Sequence, residues 1–447
     1  MDFMNLMSSR RARRSIGIGA ALAASVVLAL SAGTASAAST SQTDSGGKIT
    51  VWVDPPRVPA ANAFKKAYPN IPINIVQING TVGGQTVKQA FANFDAAGKG
   101  WPDAIFFPSN DDIAWAASPT SGYAADLTTS LASTIKGYNP AVLSQCVFAG
   151  KVRCLRNDVA ADLFWYNKTF FTKNGYSVPK TWQQYADLAV KIATDHPGMI
   201  SGFLGDAYTV NRYLQAAGCP TNVLVNPTTA HINLSDPNCA KAQALLDQMY
   251  KAKAVSTDGV FDADAIKIAS NLVMTPGAIW YGNYLLHDTW KLPAGEWTAS
   301  QPLSWTAGGK PSSGDEGGGL WGMSSHIKGK ELANAITFMK FVATDPRWQV
   351  ALTTGLPGYG PDEAPWLKTL GTGAYAGFFA DLPNLRKVMI SSLGFQQPYT
   401  YMVYDTGNAW TQTFAPTLIA GGTISDAFAK FNTELLNEAK AAGYTVK

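Results

Sequence analysis

The chain has 447 residues, of which 46% are hydrophobic and 15% charged, and its formal net charge is +4. This length and apolar content predict more core than one compact body usually holds, so we expect two lobes. A nearly neutral chain argues against nucleic acid as a partner, because nucleic-acid binding normally requires a basic face.

The first residues have the organisation of a secretory signal peptide. Four arginines within residues 10–14 precede an apolar stretch at 16–32, and the small residues 35–37 form a cleavage site. A transmembrane anchor is the alternative, but the stretch is rich in alanine and short for a membrane span. We predict a signal peptide over 1–37 and a flexible tether, rich in Ser, Thr and Gly, over 38–47. Removal of the signal peptide lowers the formal net charge from +4 to +1, because the signal peptide carries four Arg and one Asp.

After the tether, short β-branched runs alternate with segments that have helical spacing. The pattern predicts strands at 49–53, 73–78 and 104–107, with helices at 60–68 and 87–94 and a further helix starting within 113–117. This alternation is typical of a mostly parallel sheet with helices on both faces.

The four cysteines of an exported chain most simply form two disulfides. Cys146 lies close to Cys154 in the sequence, and Cys219 lies close to Cys239, so we predict these two pairs. Zinc is the competing use of cysteine, but the chain has no CxxC motif and its histidines are scattered. We therefore expect neither a metal nor a cofactor.

The most informative stretch of the chain is the run at residues 162–182, DLFWYNKTFFTKNGYSVPKTW. Its first residues read as a buried strand, and Thr181 with Gln184 forms a capping box. The helix that follows places one apolar face at Trp182, Tyr185, Leu188, Ala189 and Ile192. Further helices are predicted at 241–253, 330–343 and 426–442, and a short strand at 277–281.

This run resembles the extracellular solute-binding proteins that deliver sugars to ABC importers, specifically the large maltodextrin-like class. Weaker similarities occur in the order that the family has them, in the motifs ITVWVD, YPNI, WPDAIFF, GNY and KELANA. The resemblance implies an α/β fold like that of the periplasmic binding proteins. Each of two lobes would have a central, mostly parallel sheet flanked by helices, and a hinge with several chain crossings would join them.

The resemblance also implies where the lobes divide. One lobe would comprise residues 48–157 and 322–394, and the other residues 158–321 and 395–447. The chain would cross between the lobes near Asn157, Gly317 and Gly394, and glycine at two of these points could absorb the rotation of a hinge.

In an open parallel sheet, ligands bind outside the carboxyl ends of the strands, where loops converge. A sugar presents apolar faces and a rim of hydroxyl groups, so its site needs flat aromatic rings together with carboxylate or amide groups. With the resemblance, this requirement selects the candidate ligand-binding residues Asp54, Arg57, Asn110, Asp111, Asp162, Tyr284, Trp321 and Trp410. For each of them the competing interpretation is structural, as a core ring, a helix cap or an ion pair.

The sequence therefore predicts an exported, monomeric component of an ABC importer that binds a sugar or oligosaccharide between its lobes and delivers it to a membrane permease. It would be a binding protein and not an enzyme, working in the periplasm or at the outer face of the cell envelope. No cysteine precedes Cys146, which argues against a lipid anchor. Both Sec and twin-arginine export fit the arginine pairs. The alternatives are a secreted glycoside hydrolase and a binder of a polyamine or an anion.

Overall fold

A computed structural model describes residues 46–78 and 83–447. The predicted signal peptide at 1–37 lies outside these residues, as does most of the predicted tether at 38–47. The end of the tether is held in place, because the Nδ2 of Asn334 donates to the carbonyl of Gly47 at 2.6 Å. In the described part of the chain, no helix is both long enough and apolar enough to cross a membrane.

The strands of the described residues are short. They are β1 (Ile49–Val53), β2 (Ile73–Gln77), β3 (Ala104–Phe107), β4 (Val147–Phe148), β5 (Lys151–Val152), β6 (Leu155–Arg156), β7 (Asp158–Val159), β8 (Asp162–Asn167), β9 (Val223–Asn226), β10 (Thr229–His231), β11 (Met274–Ala278), β12 (Trp297–Ser300), β13 (Leu320–Met323), β14 (Leu356–Pro357) and β15 (Thr445–Val446).

Helices make up most of the remaining structure. They are α1 (Val58–Ala67), α2 (Gly83–Ala97), α3 (Asn110–Ala116), α4 (Ala132–Ile135), α5 (Pro140–Leu143), α6 (Lys168–Asn174), α7 (Trp182–Asp195), α8 (Pro237–Lys251), α9 (Ala263–Ile268), α10 (Gly329–Thr344), α11 (Pro346–Gln349), α12 (Gly360–Thr369), α13 (Leu382–Ser392), α14 (Thr406–Ile419) and α15 (Ile424–Ala441). Two segments are π-helical, Val210–Gln215 and Tyr281–Thr289, and the segment Pro55–Arg57 forms a 3₁₀ turn.

The larger sheet is built on the predicted parallel unit. Its strand order over the described residues is β2-β1-β3-β13-β6, with β1 parallel to both β2 and β3. β13 returns from a distant part of the chain and runs antiparallel to β3 and β6. β3 is buried along its whole length, and β1 buries alternate residues. The α/β class and the parallel start of the sheet are confirmed.

A second sheet corrects one part of the fold prediction. β8, the strand expected in the informative run, lies at the centre of the order β11-β8-β12, and both neighbours are antiparallel to it. A mostly parallel sheet is therefore wrong for this part of the molecule. An apolar strand that is covered on both faces has the same sequence pattern in either direction, so the pattern could not decide it. Pro276 is tolerated in β11 because β11 is an edge strand.

Local signals in the sequence are confirmed at several points. Thr181 and Gln184 form the predicted capping box at the start of α7. The two disulfides join Cys146 to Cys154 and Cys219 to Cys239, which leaves no free cysteine among the described residues. These features depend on residues close in sequence, which is why they could be predicted.

Three segments of chain run side by side through hydrogen bonds between their backbones. The amides of Asn157 and Asp158 donate to the carbonyls of Gly319 and Gly318, each at 3.1 Å. Farther along, the amide of Ser313 donates to the carbonyl of Phe395 at 3.0 Å. The amide of Gln397 in turn donates to the carbonyl of Ser313 at 2.9 Å. The three segments therefore form one connected ribbon.

Buried apolar side chains form two clusters. One lies around the larger sheet and extends along residues 260–299 and 320–389, and the other lies around α7, α8, α14 and α15. α13 packs against β8 and β12 of the antiparallel sheet, and Phe379 contacts Trp165 of β8. This helix therefore lies with the second sheet, although the predicted boundary at residue 394 would place it with the first.

Candidate functional site

A cavity of about 890 Å³ lies at the carboxyl ends of β1 and β3. On one side it is lined by the turn after β1 and the loop after β3. Facing them are residues 205–211, 257–262, 280–284 and 399–415, as well as the glycines at 317–319. Of the predicted site residues, five line this cavity: Asp54, Arg57, Asn110, Asp111 and Tyr284.

The turn after β1 presents an ion pair to the cavity. Pro55 at the start of the 3₁₀ turn folds the chain back, so that the Nη1 of Arg57 donates to Oδ2 of Asp54 at 3.2 Å. The guanidinium also lies 4.2 Å from the centre of the Phe106 ring. The other oxygen of Asp54, Oδ1, is buried and has no hydrogen-bond partner among the residues that the structure describes. Burial raises the pKa of Asp54, and the charge of Arg57 partly opposes that shift.

The loop after β3 leads directly into α3, where the hydroxyl of Ser109 caps the helix by accepting from the amide of Asp111. Asp111 accepts from the amides of Met402 at 3.1 Å and Thr406 at 3.3 Å, so it anchors the distant segment that closes this side of the cavity. Burial, with the nearby charge of Asp405, raises the pKa of Asp111 well above its usual value.

The neighbours of Asp111 are also buried in the cavity wall. Burial raises the pKa of Asp112 to about 7, although Lys88 lies 3.9 Å from its carboxylate. The amide oxygen of Asn110 accepts from Arg156 at 3.5 Å, a weak contact. The loop thus offers carboxylate and amide groups of low exposure, which are the groups that recognise hydroxyl or amino groups of a ligand.

Aromatic rings form the opposite wall of the cavity. The ring of Phe261 is stacked on Trp280, with centroids 5.9 Å apart and an angle of 12° between the planes. Tyr208 and Tyr284 contact the same indole at 5.9 and 6.2 Å, edge to face. The indole Nε1 donates to the carbonyl of Glu316 at 2.7 Å, which fixes the plane of the ring. The indole at the centre of the wall is therefore held in one orientation by its neighbours.

Sequence reasoning found Tyr284 of this wall but missed Trp280, Phe261 and Tyr208. The strand predicted at 277–281 includes Trp280, whereas the observed strand β11 ends at Ala278. Trp280 therefore follows the end of the strand, where the rule for carboxyl ends would have selected it. The segment that follows, Tyr281–Thr289, is π-helical, as the amide of Trp290 donates to the carbonyl of Leu285 at 2.8 Å. π-helical segments often occur at functional sites.

Two further tyrosines line the cavity from the segment before α14. The hydroxyl of Tyr401 donates to Oδ2 of Asp315 at 3.0 Å, and the hydroxyl of Tyr399 accepts from the amide of Asn222 at 3.1 Å. Burial raises the pKa of both phenols. In the sequence, the two tyrosines alternate with Thr400 in the segment 398–401, and this alternation was the signal that could have identified them as lining residues.

Two of the predicted tryptophans do not line the cavity. Trp321 is fully buried in β13, and its indole donates to Oδ1 of Asn157 at 2.9 Å. Trp410 is fully buried in α14, where it stacks on Phe414 with centroids 3.6 Å apart. Both rings are packed in the core, which corrects the expectation that they face a ligand.

Asp162 is also absent from the cavity wall. It is buried at the start of β8, close to Glu316 and Arg212, and neither carboxylate oxygen has a hydrogen-bond partner among the described residues. Burial and the charge of Glu316 raise the pKa of Asp162 well above its usual value, although Arg212 opposes this shift. In residues 46–78 and 83–447, no three His, Cys, Asp or Glu side chains are grouped closely enough to hold a metal ion.

A parallel βαβ unit, an added antiparallel sheet and a polar and aromatic cavity at the strand ends define a solute-binding protein. The chain belongs to the bacterial extracellular solute-binding protein family, whose model matches residues 53–346. A curated relative, the multiple sugar-binding protein of Streptococcus mutans, is 26% identical over 194 residues, which cover 40% of this chain. That match spans 44% of the relative's length.

Solved structures of binding proteins share the fold. The galacto-N-biose and lacto-N-biose I-binding protein of a Bifidobacterium longum ABC transporter, solved with lacto-N-biose, is similar with a TM-score of 0.74 and 19% identity. An ABC transporter associated binding protein from B. animalis subsp. lactis, solved with β-1,6-galactobiose, has a TM-score of 0.73 and 20% identity. Each match covers 90% of this chain and at least 99% of the other.

Proposed function

We propose that this protein is the exported substrate-binding component of an ABC importer. It captures a sugar or oligosaccharide in the cavity, does not alter it, and delivers it to a membrane permease. It acts as a monomer in the periplasm or at the outer face of the cell envelope. The family is one of binding proteins, and the related structures that were solved with disaccharides support a carbohydrate as the ligand.

One observation carries this proposal: a rigid aromatic wall faces polar groups across one cavity. The rings of Trp280 and Phe261 suit the C–H faces of a pyranose. Across the cavity, Asp54, Asn110 and Arg57 supply acceptors and donors for the hydroxyl rim. The cavity volume of about 890 Å³ is enough for a ligand larger than one sugar ring.

We further propose that the ribbon of three chain segments is the hinge between two lobes. Two of its segments, 157–162 and 313–319, are crossings between the lobes. The third crossing is the stretch between α12 and α13, which precedes the ribbon segment at 395–397, because α13 packs on the second sheet. Gly317, Gly318 and Gly319 all have positive φ, at 81°, 77° and 58°, and they also line the cavity. A ligand that contacts both lobes would favour a closed state, and the permease would recognise that state.

A thermal-shift screen of the mature chain tests the proposal. The panel contains mono- and oligosaccharides, polyamines and anions, because only a ligand that prefers the native state raises the melting temperature. We expect one class of saccharide to stabilise the protein. Its dissociation constant should be near the micromolar range, which corresponds to a binding free energy of about −8 kcal/mol.

The same saccharide is then incubated with the protein and recovered for chromatography. Recovery of the intact sugar after stoichiometric binding supports transport. Release of shorter products would establish the rival hydrolase, and stabilisation by polyamines or anions alone would replace the sugar by another solute.

A further inference from the structure

The cavity contains a second group of aromatic rings besides the wall around Trp280. Tyr399 and Tyr401, here called the tyrosine pair, line it from the segment before α14. Their ring centroids are 5.4 Å apart, with an angle of 63° between the planes. Within residues 46–78 and 83–447, neither ring of the pair contacts Trp280, Phe261 or Tyr284. The two groups of rings are therefore separate surfaces of one cavity.

The hydroxyl groups of the tyrosine pair already have partners inside the protein. Tyr401 donates to the carboxylate of Asp315 at 3.0 Å, and Asp315 is itself buried and paired with Arg156 at 2.8 Å. Tyr399 accepts from the buried amide of Asn222 at 3.1 Å. Both tyrosines are nevertheless only half-buried. Because their hydroxyl groups are occupied, the surface that the pair offers to the cavity is that of its rings.

The backbone that carries the tyrosine pair is fixed at both ends. Before the pair, the carbonyl of Gln397 accepts from Nε2 of Gln215 at 2.7 Å. After the pair, the amide of Met402 donates to Oδ1 of Asp111 at 3.1 Å. The rings are thus positioned before a ligand arrives, and a surface that is already ordered loses little entropy when a ligand binds to it.

Each group of rings lies next to the end of a different strand. The turn after β1 carries Asp54 and Arg57; burial raises the pKa of Tyr284, and the charges of Arg57 and Asp54 act on the same phenol. The loop after β3 carries Asp111, which contacts the residue after Tyr401. β1 and β3 are neighbours in the sheet, and neighbouring strands lie about 4.8 Å apart. This spacing is close to the length of one pyranose residue in a chain of sugars.

We infer that the tyrosine pair is a second sugar-binding subsite, so that the ligand is an oligosaccharide of at least two rings. This inference rests on the proposed function and narrows it to saccharides longer than a monosaccharide. One sugar ring lies against the wall of Trp280 and Phe261, and the next lies against Tyr399 and Tyr401. At the tyrosine pair the contact is between aromatic rings and the C–H groups of the sugar.

Calorimetry with monosaccharides and their linear oligomers tests the inference. The probes are four series of one to three residues: α-1,4-linked glucose, β-1,4-linked glucose, β-1,4-linked xylose and β-1,6-linked galactose. In the series that binds the mature chain most tightly, the disaccharide should bind at least roughly tenfold more tightly than its monosaccharide, a difference of about 1.4 kcal/mol. The gain arises because only the disaccharide reaches both groups of rings.

Variants of the tyrosine pair locate the second subsite. Tyr399→Leu and Tyr401→Leu remove a ring and should each abolish most of the preference for the disaccharide, with monosaccharide affinity changed by less than about threefold. Tyr401→Phe keeps the ring, and Asp315 still accepts from Arg156 and Gln145 in this variant. It should therefore keep most of the preference, which distinguishes a ring contact from a contact through the hydroxyl group.

Tyr404→Leu is the matched control for the leucine variants. Tyr404 lies three residues after Tyr401 in the same segment, but it is 4% exposed and is not part of the cavity wall. Loss of this ring should lower the melting temperature. It should leave the ratio of disaccharide to monosaccharide affinity unchanged.

The outcomes separate the inference from the proposed function. Equal affinity for the monosaccharide and the disaccharide of the best series would overturn the inference and leave sugar transport in place. An equal loss of preference in Tyr404→Leu and Tyr401→Leu would also overturn it, because the folding of the segment would then be responsible. Binding of none of the four series would overturn the inference as well, whereas the wider thermal-shift screen decides the proposed function separately.

Discussion

The ring of Phe261 lies parallel to the indole of Trp280, 5.9 Å away, and both rings belong to the wall of the cavity. Trp280 is only 7% exposed, whereas Phe261 is 37% exposed and stands at the edge of the wall. The buried Trp280 thus supports the more exposed ring of Phe261.

We expect Trp280→Ala to weaken saccharide binding by about 2 kcal/mol, roughly thirtyfold, because it removes the ring on which Phe261, Tyr208 and Tyr284 pack, together with its indole hydrogen bond. Titration with the tightest-binding saccharide of the screen measures the effect. Trp280→Phe retains a ring and should recover part of the affinity.

Trp410→Phe is the control for this prediction. Trp410 is a fully buried ring outside the cavity, so its truncation should lower the melting temperature without changing the affinity. A loss of affinity in Trp410→Phe equal to that in Trp280→Ala would contradict the assignment of the wall.

The position of the buried carboxylate of Asp162 predicts a pH-dependent stability. Because its pKa is raised in the folded protein, the folded state binds more protons than the unfolded state above the ordinary pKa of 3.8. Stability therefore falls as the pH rises from that value toward the raised pKa of the folded state. We expect Asp162→Asn to stabilise the protein by about 1–3 kcal/mol at about pH 8, and by much less at about pH 4.

Urea unfolding at the two pH values measures this difference. Asp315→Asn is the matched comparison, because Asp315 is equally buried but is paired with Arg156 at 2.8 Å. The substitution removes the carboxylate that neutralises the buried Arg156 and should destabilise the protein by about 3–5 kcal/mol. A destabilised Asp162→Asn at about pH 8 would show that the carboxylate is needed in its ionised form.

The sequence was most informative where structure depends on neighbours in the chain. The bounds of β1 and β3 and the capping box of Thr181 follow from local patterns of side chains and hydrogen bonds. The direction of β11 beside β8 depends instead on how distant segments are connected, which no local pattern records.

The candidate site shows the same division. Asp54 and Asn110 could be predicted, because they lie within three residues of the ends of β1 and β3, which meet at one edge of the sheet. Trp280 follows a buried strand and Trp410 lies in a helix, and only long-range packing decides that Trp410 is enclosed in the core whereas Trp280 lines the cavity. The cavity carboxylates Asp258 and Asp262 come from a loop without any motif.

The two disulfides should contribute unequally to stability. Cys219 and Cys239 are 20 residues apart, whereas Cys146 and Cys154 are 8 apart, and the longer loop loses more entropy in the unfolded chain when it is closed. Replacement of Cys219 and Cys239 by alanine should lower the free energy of unfolding by about 3 kcal/mol. Replacement of Cys146 and Cys154 should lower it by about 2.5 kcal/mol. Urea unfolding of each double variant measures these costs, and the reverse order would mean that local packing outweighs loop closure.

The glycines of the proposed hinge provide the final prediction. Gly318 has φ at +77°, and a Cβ at this position would lie 2.4 Å from the carbonyl oxygen of Asp158 on the neighbouring segment. Gly318→Ala should therefore force the two segments apart and also reduce saccharide affinity, because they line the cavity. Gly308 is the matched control, since it has φ at +70° with open space around its Cβ position. Gly308→Ala should lower the free energy of unfolding by about 1 kcal/mol, because alanine disfavours the left-handed backbone. Gly318→Ala should lower it by about 2 kcal/mol more, because its Cβ also clashes with the neighbouring segment. Urea unfolding and saccharide titration of both variants measure the difference, and equal behaviour would show that the segments yield without loss.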